Sequence, residues 1–96
     1  MLKLEIQNSY KRDLKLAYKQ NIITHKIETE LKFVIDTLQS GKTLPEKPYR
    51  PHGLNGEYSG YTSCHIKANF CLIYKIAGNN LHLIRVGKHT TLYKNF

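Results

Sequence analysis

Four side chains have the chemistry to move protons or hold phosphate at neutral pH: His52, His65, Arg85 and His89. Imidazole titrates near neutrality and guanidinium is permanently cationic. Imidazoles together with an arginine suit metal-independent cleavage of RNA. One base takes the proton from a ribose 2′-hydroxyl, one acid protonates the leaving 5′-oxygen, and the guanidinium balances charge on phosphorus. Phe70 or Tyr93 could stack on an unpaired base. Each residue also has a plainer reading. A histidine on a strand is more often a half-buried hydrogen-bonding group, and Arg85 could pair with Glu57 or another acid. His25, near a helix start, and His82, on the presumed helix-facing side of its strand, are given no chemistry. No metal site is expected: no two histidines stand four apart, and no carboxylate joins them in the acid-free half.

The chain that carries these groups has 96 residues, 15 Lys and Arg against 7 Asp and Glu, a net charge of +8 and a pI of about 9.6. All seven acids fall within residues 1–57; residues 58–96 hold none, and contain Lys67, Lys75, Arg85, Lys88 and Lys94. An acid-free half of a basic domain points to a polyanionic partner, nucleic acid or an acidic protein segment. The length suits one domain and leaves no room for a separate cofactor domain. A hydrophobic content of 41% supports a compact core. The longest apolar run is Phe70 to Tyr74, far short of a membrane span, and the first six residues lack the apolar stretch of a signal peptide, so a cytoplasmic location is expected. Cys64 and Cys71 fit neither a disulfide framework nor a zinc motif and read as reduced, buried thiols.

The elements that must position the site follow from periodicity. Leu2, Leu4 and Ile6 alternate with Lys3 and Glu5, a strand pattern. Asn8 or Ser9 can cap a helix in which Tyr10, Leu14, Ala17 and Tyr18 repeat at helical spacing, ending near Gln20-Asn21. A second helix starts near Thr24, with Ile27, Leu31, Val34, Ile35 and Leu38 on one stripe and Gly41 suited to the left-handed position after its end. Residues 42–57, with Pro45, Pro48, Pro51, Gly53 and Gly56, read as one long loop. Three strands follow, about 60–67, 69–76 and 81–86, with turns at Lys67-Ala68 and Gly78-Asn79-Asn80. The expected order is β-α-α-β-β-β: an α+β domain over residues 1–96, a helical hairpin on one face of a mainly antiparallel sheet, the other face free.

A turn at Lys67-Ala68 sets Cys64 opposite Cys71 and His65 opposite Phe70. Cys64, Ile66, Cys71 and Ile73 would then face the helices. Tyr61, Ser63, His65, Phe70, Leu72 and Tyr74 would line the open face. In the last strand, Leu83 and Arg85 would share one face, and Ile84 and Val86 the other.

Taken together, His52-Gly53-Leu54-Asn55-Gly56, Gly60-Tyr61, Cys64-His65-Ile66, Leu72-Ile73-Tyr74-Lys75 and Leu83-Ile84-Arg85-Val86-Gly87-Lys88-His89 resemble the YafQ-like branch of the RelE/ParE toxin superfamily. The motifs cover about half of the chain and the element order extends the likeness to all of it. The resemblance implies a type II toxin–antitoxin toxin, an endoribonuclease that cleaves mRNA at the ribosome without a cofactor. It carries His52, His65, His89, Phe70 and Tyr93 onto active-site positions, and Arg85 onto the arginine of the closing motif. On it, His52 is the general base, His89 the general acid, His65 and Arg85 phosphate stabilisers, and Phe70 and Tyr93 hold the base, with Asn69, Lys67 and Lys88 as further substrate contacts. Two departures stand out: Asn69 replaces the usual aspartate and cannot relay a proton, and Phe70 replaces a tryptophan. The resemblance also implies an antitoxin with a DNA-binding half and an acidic tail, through which alone operator DNA would be bound; no membrane is involved. The competing functions are a gyrase-poisoning toxin of the same fold and a non-catalytic RNA- or ribosome-binding module. A nuclease needs the three histidines together and a gyrase poison does not.

Overall fold

In the computed structural model, residues 1–93 are described, apart from the side chain of Glu57. The chain forms strand β1 (Lys3–Ile6), helices α1 (Asn8–Lys19) and α2 (His25–Gln39), a helical turn α3 (Glu46–Tyr49), a two-residue strand β2 (His52–Gly53), a 3-10 turn (Gly56–Tyr58), strands β3 (Thr62–Lys67), β4 (Phe70–Ala77) and β5 (Asn80–Lys88), and a closing turn α4 (His89–Leu92). The sheet order is β1-β5-β4-β3-β2, with β1 parallel to β5 and the other pairs antiparallel. This is the expected α+β domain. The stretch expected as one loop is more structured: Tyr49 is buried, and His52 and Gly53 add a fifth strand by pairing with Ser63 and Thr62.

The helices form for the reasons their sequences give. Thr24 caps α2, its side chain accepting from the Ile27 amide at 3.2 Å. Gly41 takes φ 83° just past α2, where a side chain would be strained. For α1 the cap position is Gln7, and Ser9 instead donates to the Ile84 carbonyl at 2.5 Å, tying the helix to β5. Tyr10, Ala17, Ile27, Leu31, Val34 and Leu38 pack on one sheet face.

The strand facing differs from the expectation in β4. The hairpin turns at Ala68-Asn69, one residue later than expected, and Ile66 is bulged between the pairs His65–Cys71 and Lys67–Phe70. Cys64 therefore lies opposite Leu72, and His65 opposite Cys71. A slip of one residue turns over every side chain of a strand. Phe70, Leu72 and Tyr74 pack with Cys64 and Ile66 against the helices, while Cys71 and Ile73 join Leu92 in a second core on the other face. A second irregularity, between Ile73 and Tyr74, sets Tyr74 opposite Leu83 and Ile73 opposite Arg85. Leu83 and Val86 consequently share the helix-side core, and Ile84 packs on the second. His82, between Leu81 and Leu83, opens on the second face beside Tyr61 and Lys75, not toward the helices.

Candidate active site

The second sheet face brings the histidines together. His65 projects from β3, two residues past Ser63, whose cross-strand partner is His52 of β2. His89 is placed by the end of β5: its amide donates to the Asn69 carbonyl at 2.6 Å, pinning the start of α4 to the β3–β4 turn. The His65 and His89 rings lie 10° from parallel with centroids 6.3 Å apart, and the Tyr93 ring lies 4.5 Å beyond His89. The Tyr93 hydroxyl donates to Ser63 Oγ, which closes the row back onto β3. Leu92, on the buried side of the same turn, packs on the second core with Cys71 and Ile73, so a hydrophobic floor sets the height of the row.

Two depressions flank the row. One, of ≈ 710 Å³, is lined by His52, Leu54, Asn55, His89, Thr90 and Tyr93. The other, of ≈ 290 Å³, lies past His65 toward α2 and is lined in part by Glu30, Arg50 and Lys67. His52 Nδ1 lies 2.9 Å from the Arg50 carbonyl; donation there makes Nε2 the acceptor of the neutral ring.

The electrostatics favour a neutral His65. Its pKa is lowered, first by burial and then by electrostatic interaction with His89, His52 and Arg50. Cys71 Sγ lies 3.8 Å from His65 Nδ1, and burial pushes that thiol up to about 11, so it stays protonated beside the ring. Both cysteines are free and buried, as expected. Among the described residues, no three His, Cys, Asp or Glu side chains are grouped so as to hold a metal ion.

Arg85 is engaged within the fold. Its Nε and Nη2 donate to Asp13 at 2.6 and 3.1 Å, and Nη1 donates to the Tyr58 hydroxyl at 2.9 Å. The acid partner left open by the sequence is thus Asp13, while the side chain of Glu57 lies outside the described residues. Phe70, expected to stack on a base from the open face, is 2% exposed in the helix-side core, the direct result of the bulge at Ile66. Asn69 meets the site through its backbone carbonyl. Lys67 and Lys88, at the same end of the sheet, line a separate depression with Asn21 and Asn69; Lys67 also borders the pocket beside His65.

Sequence reasoning missed Arg50 and Glu30, and gave Ser63 and Asn55 no role beyond a place on the open face and in the motif. A cation two residues before His52 was the available signal for Arg50, and the alternation on β3 the one for Ser63. Glu30 had none, since a lone acid on the rim of an amphipathic helix reads as a solvated charge.

Known proteins resemble the chain over nearly its whole length. The family model described as the bacterial toxin of a type II toxin–antitoxin system, YafQ, matches residues 2–94. A relative named mRNA interferase toxin YafQ, from Escherichia coli strain K12, is 35% identical over 91 residues, covering 94% of both chains. A copper-bound mutant toxin from Helicobacter pylori is structurally similar with a TM-score of 0.81 and 30% identity, over 96% of this chain and 99% of that one. A chain of the E. coli DinJ-YafQ complex gives a TM-score of 0.79 and 30% identity, over 97% of this chain and 99% of that one. The chain belongs to the YafQ family of bacterial type II toxin–antitoxin toxins.

Proposed function

We propose that the protein is an mRNA endonuclease that cuts at the ribosome without a metal, and that a cognate antitoxin neutralises it. The observation that carries the reading is that His89 and Tyr93 border one groove with His52, while the His65 ring stacks 6.3 Å from His89 at the edge of the row. The named activity of the E. coli relative supports it. His52, with Nε2 free to accept, takes the proton of the ribose 2′-hydroxyl as its oxygen bonds to phosphorus. The P–O5′ bond breaks and His89 gives its proton to the leaving oxygen, leaving a 2′,3′-cyclic phosphate and a 5′-hydroxyl. Neutral His65 hydrogen-bonds a non-bridging oxygen, and the Tyr93 ring supports the adjacent base. Lys88 holds a flanking phosphate, and Lys67 meets the substrate beside His65. Arg85 works through Asp13 and Tyr58, fixing the strand that delivers His89.

Residues 58–96 contain no acid, a composition suited equally to RNA and to an acidic antitoxin tail. The DinJ-YafQ assembly of the relative supports such a partner. The two ligands would compete for one face. Purified protein incubated with mRNA in EDTA, with and without translating ribosomes, tests the reading. Cleavage in EDTA that ends in a cyclic phosphate is the expected result. Cleavage abolished by EDTA would replace the histidine mechanism with a metal one, a pointed comparison given the copper-bound H. pylori relative. No cleavage in any arm would favour a gyrase inhibitor or a non-catalytic ribosome binder.

A further inference from the structure

The smaller pocket has a composition that phosphate binding does not explain. It holds a carboxylate, Glu30, together with Arg50 and Lys67, and lies directly beside His65. Opposite charges this near one another ordinarily close into ion pairs. Here Glu30 takes a hydrogen bond from the Tyr49 hydroxyl at 2.8 Å, and among the described residues it makes no ion pair with Arg50 or Lys67. Arg50 is held from below: its amide donates to the Glu46 carbonyl at 2.7 Å, its carbonyl meets His52, and its backbone sits at φ 44°, a left-handed conformation rare for a residue with a side chain. Non-glycine residues held in that region cluster at binding sites. The remaining walls, Pro48, Ile66 and Ala68, are apolar.

A phosphate would pair with Arg50 and Lys67 but leave the Glu30 carboxylate facing an anion, and an apolar group would strand three charges. A flat ring with donors on one edge and acceptors beside them satisfies every wall. Of the four bases, guanine alone offers two adjacent donors, N1–H and the 2-amino group, next to the O6 and N7 acceptors that Arg and Lys favour. We propose that this pocket is a nucleobase subsite that takes a guanine next to the scissile phosphate, Glu30 accepting from its N1–H and 2-amino group while Arg50 and Lys67 donate to O6 and N7. The assignment rests on the nuclease reading above and gives it a sequence preference. The row of imidazoles lies between this pocket and the groove of His52, so a strand crossing the row would place one base on each side.

Two measurements on the full chain test it. The first titrates labelled protein with GMP, IMP and AMP and follows backbone amides. Perturbation at Arg50 and Ile66–Ala68 is expected with GMP, with IMP and AMP at least about tenfold weaker, and Glu30→Gln should bring GMP to the level of IMP. The amide spectrum also reports whether the variant is folded, and Lys67→Gln provides a second probe that should weaken GMP. Equal binding of the three nucleotides, no binding, or perturbation centred on the His52 groove overturns the subsite. The second measures cleavage on translating ribosomes with inosine replacing guanosine at each position near the cut. A drop in kcat/KM of roughly tenfold to a hundredfold is expected at one position, and no inosine effect in Glu30→Gln. A wild-type chain that cleaves no RNA overturns the nuclease reading, and the mononucleotide titration still decides the pocket.

Discussion

The Asp13 carboxylate on α1 grips Arg85 of β5 at 2.6 and 3.1 Å and also accepts from the Val86 amide at 3.1 Å. Beyond Leu83, β5 has no strand on that side among the described residues, because β1 ends at Ile6. Asp13 therefore does for the exposed strand edge what a neighbouring strand would do, and its hydrogen bond is the main reason the guanidinium pKa is raised. The last turn of β5 leads straight into His89, so one carboxylate links helix α1 to the proposed general acid.

Asp13→Ala should lower stability by about 2–3 kcal/mol, since it leaves a half-buried cation and a strand amide without their acceptor. Urea unfolding gives the number. Asp13→Glu should recover part of it. An unchanged midpoint in Asp13→Ala would show that Arg85 finds solvent or another partner at no cost.

His65 should titrate below the usual histidine value near 6.5, because burial and the neighbouring His89, His52 and Arg50 disfavour its charge. The unfolded chain binds the proton more readily, so stability rises with pH across the interval between the two pKa values. The contribution is fully present above about 6.5 and is lost as pH falls from there through the lower folded-state pKa. Proton NMR of the imidazole reads the pKa directly. Arg50→Gln removes the permanently charged neighbour and should move it back up; no movement would place Arg50 outside the electrostatic reach of the ring.

His52→Ala and His89→Ala should each slow single-turnover RNA cleavage by about 10²–10⁴-fold with little change in thermal stability, as both side chains are exposed. Full cleavage by both variants would end the proposed division into base and acid.

Phe70 and Tyr93 should separate core from site. Phe70→Ala empties a position 2% exposed and should cost about 3–5 kcal/mol. Its loss of activity should track unfolding and not RNA affinity. Tyr93→Phe keeps the ring beside His89, removes the hydroxyl bond to Ser63, and should cost about 1 kcal/mol with cleavage largely retained. Tyr93→Ala should raise KM for RNA while remaining folded. A Phe70→Ala variant of native stability with weak RNA binding would return that ring to the open face.

The sequence alone determined helices α1 and α2, the strand count apart from β2, the acid-free half and the three histidines. Each is written locally, in a 3.6 or 2.0 period, a capping threonine, a glycine after a helix, or a residue type whose chemistry does not depend on its neighbours. It did not decide the facing of β4. Phe70, Cys71, Leu72, Ile73 and Tyr74 are all buried, each face of the strand packing on its own core, so there is no alternation to read. The bulge at Ile66 makes that choice, and it is a property of the β3–β4 pair. The union of Asp13 with Arg85, 72 residues apart, and of Glu30 with Arg50 and Lys67 in one pocket likewise exists only once helices and sheet have packed. Local sequence periodicity supplies the pieces; which charges meet depends on contacts between segments far apart in the chain.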